Sequence, residues 1–522
     1  MLMATGAETY NKGFCNKCKK LVPADHCFRD GKVYLVKDCP DCGLTETLIA
    51  ADAERYQIKR SLDGDYPYHV CNLTCDSCDH GRLPCFVFVN VTNRCNLNCP
   101  ICIDNVPGLG FTFEPPMEYF EKLFARLADC DPSPTVALFG GEPTVRDDLF
   151  DIIELARSYD LGVRCLTNGL RLADMDFCRR LVESRARILM SYDGCNPKTY
   201  KHLRGRESAL DRKLQAIENL GQLDMVKRHK VILIMCMAKG LNAEEVGDYL
   251  QFCHDHRDIV TGVHLMPLAH TWDFSDSEFQ PERITMEDIE QLVDDLYPDA
   301  RVDFLPAGFV AGLAKAAGYA GMRKLPFPGA HPNCESIYLL VSDGERYHPL
   351  SRFLRRPLPE AGRAVQELQK RIAEREKTWK RTLPGRMLHG LRLGKPLLKF
   401  IGAMQILNFV RREVHLGELF KGSGLTRFWH ALALLTAIAL GRSRSAAMAR
   451  HTNVENCLQV VILPFEDDEV LETERIQRCP NAHAYLDPET DELRFVPICA
   501  WRVHNQRVLK QLADSFAEKV AV

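Results

Sequence analysis

The chain has 522 residues, 46% hydrophobic and 26% charged, with a formal net charge of −3. That length accommodates more than one core, the composition is that of a globular protein, and the near-neutral balance gives no whole-chain attraction for nucleic acid. Cysteine is the outlier, at 22 residues.

The opening stretch, MLMATGAETYNKG, has no apolar h-region and no cleavage pattern, so a secretory signal is not expected. In a reducing compartment that much cysteine reads as metal ligation rather than disulfide bonding. Residues 1–60 hold two C-x2-C knuckles, Cys15/Cys18 and Cys39/Cys42. The pairing points to one tetrahedral ion, zinc or rubredoxin-type iron, clamping a small ribbon domain that has little core of its own. Residues 61–85 carry Cys71, Cys75, Cys78 and Cys85 at C-x3-C-x2-C-x6-C. Four crowded thiolates suit a fully ligated auxiliary iron–sulfur cluster, with zinc as the alternative.

From 86 to 300 short β-rich runs (CFVFVNV, TVALFGG, VRCLTNG, ARILMSYDG, VILIMCMAKG, GVHLMPLA) alternate with amphipathic segments. In RDDLFDIIELARSY, Leu149, Ile152, Ile153 and Ala156 recur at helical spacing. Six strands alternating with helices predict an α/β fold, a partial (β/α)6 TIM-type barrel, with chemistry at the carboxyl ends of the strands. The loop after the first strand, VTNRCNLNCPIC, places Cys95, Cys99 and Cys102 there. An iron–sulfur cube takes four ligands, so a triad leaves one iron open for a small molecule.

A C-x3-C-x2-C triad after the first strand, followed by GGEP after the second, resembles the radical S-adenosylmethionine enzymes. The resemblance implies that the catalytic Cys95, Cys99 and Cys102 ligate a 4Fe–4S cluster whose open iron chelates S-adenosylmethionine. Reduction of the cluster then releases a 5′-deoxyadenosyl radical. It further implies cofactor contacts from Ile101, Gly140, Gly141, Glu142, Asn168, Ser191, Asp193 and Arg204, and an external electron donor such as ferredoxin or flavodoxin.

Residues 301–354 follow the barrel. In the next segment, 355–450, composition shifts: from 386 to 450 there are eleven Lys/Arg against Glu413 and Glu418, interleaved with apolar residues. This predicts basic amphipathic helix, either resting on an anionic membrane surface or packed on the barrel. The longest apolar run, residues 429–440, falls short of the ~20 needed to span a bilayer, so a cytoplasmic protein with peripheral membrane contact at most is expected. Residues 451–522 return to β-like patterning and carry Cys457, Cys479 and Cys499; with Cys334 they are candidates for a second auxiliary cluster, although scattered cysteines are more often core.

The whole layout, over residues 14–350 and 455–501, resembles the tetraether lipid synthase group. That resemblance implies a third cluster on Cys334, Cys479 and Cys499, with Cys457 the candidate fourth ligand. It also implies a lipid substrate: coupling of two terminal chain carbons into a membrane-spanning lipid. Two rivals stand beside it, a radical methyltransferase acting on a pterin-type precursor and a non-catalytic electron carrier, for which GGEP has no use.

Overall fold

The computed structural model describes residues 11–63, 66–75, 83–105, 108–223, 230–271, 279–313, 327–381, 405, 408–439 and 444–520. Cys78 and much of the basic segment therefore lie outside the described residues.

Strands β1 (Lys12–Phe14), β2 (Leu21–Arg29), β3 (Lys32–Cys39) and β4 (Gly43–Ala50) form an antiparallel sheet in sequence order. Along β3, Val33 and Leu35 are buried while their neighbours are more exposed, the period-two pattern of a one-faced sheet. Helix α1 (Ala53–Ser61) follows, capped by Asp52 accepting from the Glu54 and Arg55 amides.

Six strands then run parallel and in chain order: β5 (Phe86–Thr92), β6 (Thr135–Gly140), β7 (Val163–Thr167), β8 (Arg187–Ser191), β9 (Val231–Met237) and β10 (Val260–Pro267). Their crossovers contain helices α2 (Met117–Ala128), α3 (Leu149–Ser158), α4 (Met175–Glu183), α5 (Pro197–Arg204), α6 (Ala209–Gly221) and α7 (Val246–Asp255). The periodic residues of α3 are all buried. This is the partial barrel expected from the alternating pattern, because parallel strands need a crossover that covers the sheet.

Later strands extend the sheet on both sides. These are β11 (Leu305–Pro306), β12 (Ser336–Ser342), β13 (Tyr347–Pro349), β14 (Asn456–Ile462), β15 (Asn481–Leu486) and β16 (Leu493–Pro497). β14 pairs parallel to β10 and antiparallel to β12, while β15 pairs parallel to β5. Both open edges of the six-stranded core are thus covered by C-terminal residues, which removes them as aggregation templates.

The ribbon is held to the barrel by buried charge. Lys59 on α1 is 1% exposed and its Nζ donates to Glu287 Oε1 and Glu290 Oε1, each at 2.8 Å, on α8 (Met286–Asp295). One turn earlier Arg55 pairs with Asp294 at 2.5 Å and donates to the Val302 carbonyl. On the other side, the Asn11 amide and His26 both reach Glu472 Oε2, at 2.8 and 2.7 Å. Within the basic segment, the helix Leu425–Ala439 leaves Leu425, Phe428, Trp429 and Leu432 exposed, one stripe at helical spacing. Among the described residues, no helix is long and apolar enough to cross a membrane.

Removing Lys59 leaves two buried carboxylates facing each other. Lys59→Met is expected to lower stability by about 3–5 kcal/mol, read as a shift in the urea midpoint of the intact protein under anaerobic conditions.

Candidate active site

The cysteine loop leaves β5 beside the turn that ends β6. Gly141 N donates to the Thr92 carbonyl at 2.7 Å and Glu142 N to the Arg94 carbonyl at 2.8 Å. Gly140 has φ +117°, and a Cβ there would lie 2.3 Å from the Thr92 oxygen; at Gly141 it would lie 2.1 Å from the Arg94 oxygen. Only glycine permits this approach. Farther along the loop Cys102 N donates to the Cys99 carbonyl, and all three thiols of the triad line one cavity of about 300 Å³. Burial pushes the Cys95 thiol up to about 12, helped by the Glu142 carboxylate and the two neighbouring thiols. A thiolate form there requires a compensating cation, which is what iron ligation provides. Three thiols on one loop at the mouth of a cavity fit a cluster with one open coordination position.

Glu142 lines the same cavity. Its Oε1 accepts from the Thr144 amide and hydroxyl and from the Thr167 hydroxyl, and its Oε2 accepts from Asn168 N at 2.6 Å. Burial raises its pKa against those bonds, and Oε2 keeps a lone pair for a ligand donor. Asn168 donates to Asn96 Oδ1 at 2.7 Å, tying the β7 end to the cysteine loop. Ser191 and Ile101 also face the cavity, and Ile101 packs on Leu203, Ala238 and Leu268.

Asp193 has a different place from the cofactor contact expected of it. It is fully buried behind Arg204, accepts from Arg204 Nε and Nη2 at 2.8 and 2.7 Å, and takes the Cys236 amide at 3.1 Å. It orients Arg204, which itself lines the cavity, and Arg204 and Lys213 hold it below the usual carboxylate range despite burial. Lys213, which the sequence did not single out, donates to the Asn168 carbonyl at 2.7 Å and the Ser191 hydroxyl at 2.8 Å. Burial pulls it down to about 8, with Asp193 opposing that shift.

The four ribbon thiols Cys15, Cys18, Cys39 and Cys42 have ligand atoms all within 4.8 Å of one another, with Cys18 and Cys39 Sγ 3.6 Å apart. A tetrahedral ion with bonds of ~2.3 Å fits that spacing. Of the second group, Cys71 and Cys75 are buried and Cys85 is half-buried at the start of β5, its amide donating to the Pro480 carbonyl.

Cys334, Cys479 and Cys499 converge from a turn before β12, a turn before β15 and the start of the helix Ile498–Val520 onto the triad's cavity. Burial pushes all three thiols up, Cys334 to about 12; Cys334 raises Cys479 further, and both raise Cys499. Cys457 does not join them. It sits at the start of β14, as its second residue, and packs beside Val341, Phe353 and Val454, whereas the cavity begins past the other end of that strand, at Leu463. The side chain nearest in kind is Glu466, which raises Cys334 and Cys499 electrostatically. Its Oε1 lies 2.9 Å from Arg475 Nε, an ion pair without hydrogen-bond alignment.

Two buried carboxyls in the cavity have an oxygen with no hydrogen-bond partner among the described residues: Asp104 Oδ2 and Glu335 Oε2. Burial alone lifts Asp104 to about 7. Burial lifts Glu335 to about 8, opposed by the Asn481 amide donating at 3.0 Å. Neither belongs to a recognisable motif; the only sequence hint is that each adjoins or nearly adjoins a candidate ligand cysteine.

The loop geometry and the strand ends define a radical S-adenosylmethionine core: residues 89–253 match the Radical SAM superfamily, and residues 9–51 match the HMPTM N-terminal zinc ribbon domain. The chain accordingly uses S-adenosylmethionine, a 4Fe–4S cluster and a ribbon-bound zinc or iron ion. It is 26% identical to the 7,8-dihydro-6-hydroxymethylpterin dimethyltransferase of Methanocaldococcus jannaschii, over 97% of this chain and 95% of that one. A GTP 3′,8-cyclase of Limosilactobacillus fermentum is 27% identical over 51% of this chain and 78% of its own length. Among solved structures, Streptococcus suis SuiB bound to S-adenosylmethionine aligns at 15% identity and TM-score 0.34, covering 53% of this chain and 69% of that one.

Cys99→Ala is expected to reduce 5′-deoxyadenosine formation, measured chromatographically after dithionite reduction with S-adenosylmethionine, to the level seen without protein. A second expectation concerns pH. His264, in the cavity wall on β10, is pulled from 6.5 to about 3 by burial and by Arg164 and Arg187. Between those values only the unfolded chain holds the ring proton, so unfolding takes up a proton and stability falls as pH drops from 6.5 toward 3, by up to about 1.4 kcal/mol per unit. His264→Asn should flatten the urea midpoint across that window relative to wild type.

Proposed function

We propose that the protein is a radical S-adenosylmethionine methyltransferase acting on a pterin-type precursor. The observation that carries this reading is the cavity between the triad and Cys334, Cys479 and Cys499. Its walls are largely apolar, from Phe88, Phe139 and Leu189 among others, yet they hold the unpartnered oxygens of Asp104 and Glu335. A buried carboxyl oxygen without a donor costs about 1–3 kcal/mol. The ring N–H and amino groups of a pterin supply such donors between aromatic walls, whereas a hydrocarbon chain supplies none. The end-to-end similarity to a pterin dimethyltransferase supports the same substrate class.

Bound S-adenosylmethionine and the reduced cluster together supply a primary-carbon radical able to remove hydrogen from an unactivated carbon. The chain's own residues do the rest. Glu142 Oε2 offers an acceptor to the cofactor's ammonium, Arg204, braced by Asp193, offers a guanidinium to its carboxylate, and the apolar wall keeps water from the radical.

The lipid-coupling reading retains one observation in its favour, the exposed Leu425, Phe428, Trp429 and Leu432 stripe on a helix within the basic segment, a face suited to a membrane surface. Expression of the full chain in a heterologous anaerobic host separates the two. We expect pterins heavier by one or more methyl groups, by mass spectrometry, with lipid extracts unchanged. Linked-chain lipids without methylated pterin would overturn the proposal.

A further inference from the structure

At the amino-terminal end of the barrel strands, three basic side chains face the interior with no acid among the described residues paired to them. Arg164 on β7 and Arg187 on β8 are direct register partners on adjacent parallel strands, so their Cα atoms are about 4.8 Å apart. Side chains alternate along a strand. Arg164 therefore shares the inner face with Leu166, Arg187 with Leu189 and Ser191, and His264 with Met266, all of which line the cavity apart from Arg187. Neither guanidinium forms an ion pair or a hydrogen bond among the described residues. Arg164 lies over the Phe86 ring, 3.9 Å from its centroid, and Arg187 Nε is buried without a partner.

The electrostatics follow the same placement, with Arg187 acting on Arg164 and both acting on His264. Burial pulls Arg164 down to about 9, with Arg187 adding to it; burial lowers Arg187; and His264 is lowered by burial and by both arginines. Three other interior cations are met by carboxylates: Lys59 by two glutamates, Arg204 by Asp193, and Arg283 by Asp467 at 2.9 Å. Among the described residues, the two adjacent interior guanidiniums have no such counter-charge. Desolvating a cation costs several kcal/mol unless a partner repays it, and a forked guanidinium is the group best matched to a planar or tetrahedral oxyanion.

We propose that Arg164 and Arg187, with His264 beside them, form a subsite for an anionic group, phosphate or carboxylate, carried by the molecule that occupies the cavity. This rests on the cavity being the substrate chamber and not on the pterin assignment. From Arg164 to Asn168 at the cofactor end is four residues of strand, about 13 Å. The ligand is therefore elongated, with its reacting carbon toward the cysteine triad and its anion at the far end of the barrel. Cation–π contact with Phe86 holds Arg164 in place for that role.

The test is isothermal titration of the anaerobically reconstituted full chain, saturated with S-adenosylmethionine so that Arg204 is engaged, with inorganic pyrophosphate and separately with glutarate. One-to-one binding is expected, weakened at least tenfold in R164Q/R187Q and restored toward wild type in R164K/R187K. Tighter pyrophosphate assigns a phosphate ester; tighter glutarate assigns a carboxylate. Iron content and circular dichroism check that the variants fold, and the single variant Arg187→Gln, expected to show a smaller loss, serves if the double variant does not. Equal binding by wild type and folded variants, or no binding of either anion by wild type at millimolar concentration, would overturn the subsite. Adding neutral 6-hydroxymethyl-7,8-dihydropterin tests the other reading separately. If it neither binds nor alters anion affinity while anion binding stays arginine-dependent, the pterin assignment fails and the subsite stands.

Discussion

The backbone of the turn after β6 touches the backbone that feeds the cysteine loop, and the mouth of the barrel is set from that contact. Two amide-to-carbonyl bonds cross between the segments, through a gap that admits no side chain at Gly140 or Gly141. Because the contact is main chain to main chain, it fixes Glu142 relative to Cys95 with little freedom. Glu142 in turn holds Thr167 and the Asn168 amide, and Asn168 reaches back to Asn96. Three consecutive strand ends are joined in a closed circuit of hydrogen bonds around the place where cluster and cofactor meet. Such preorganisation lets charge be stabilised without reorganising the site.

A second circuit lies one strand farther round. Asp193 faces Arg204 and the Cys236 amide, and Lys213 clasps the β7 and β8 ends from behind. The carboxylate pairs with Arg204 and acts electrostatically on Lys213, while itself making no contact with the cavity. Its value is in aiming Arg204, a role that a strand-end aspartate in a short SYDG turn does not disclose until the following helix, α5, is folded back over it.

What could be read from the sequence was local. Cys95, Cys99 and Cys102 lie within one turn-rich loop, the ribbon knuckles are two residues across, and strands alternating with helices declare a parallel sheet. What could not be read depended on which end of a strand faces the site. Cys457 and Leu463 belong to the same run, but a strand's first residue lies at the opposite end of the barrel from its last, so Cys457 is removed from the thiols it was grouped with. Arg164, Arg187 and His264 are dispersed in sequence and meet only through strand register. Asp104, Glu335 and Lys213 carry no motif, and their character comes from burial, which the tertiary fold alone creates. The finer choice of substrate was inferred from a layout of cysteines shared by proteins of different chemistry, and that layout says little about the walls of the chamber.

The covering of β5 by β15 and of β10 by β14 has a consequence for how the chain is made. The six core strands are complete when Pro267 leaves the ribosome, yet their outer neighbours follow only after Asn456 and Asn481. For most of the remaining synthesis the nascent sheet therefore displays two unsatisfied edges, and its thiols are parted from those that arrive with the last strands. Pairings of such long sequence separation form slowly, and half-built sheets associate with one another. The edges close only once Asn456–Ile462 and Asn481–Leu486 have paired, so the core strands stay open to such association until most of the chain has been made.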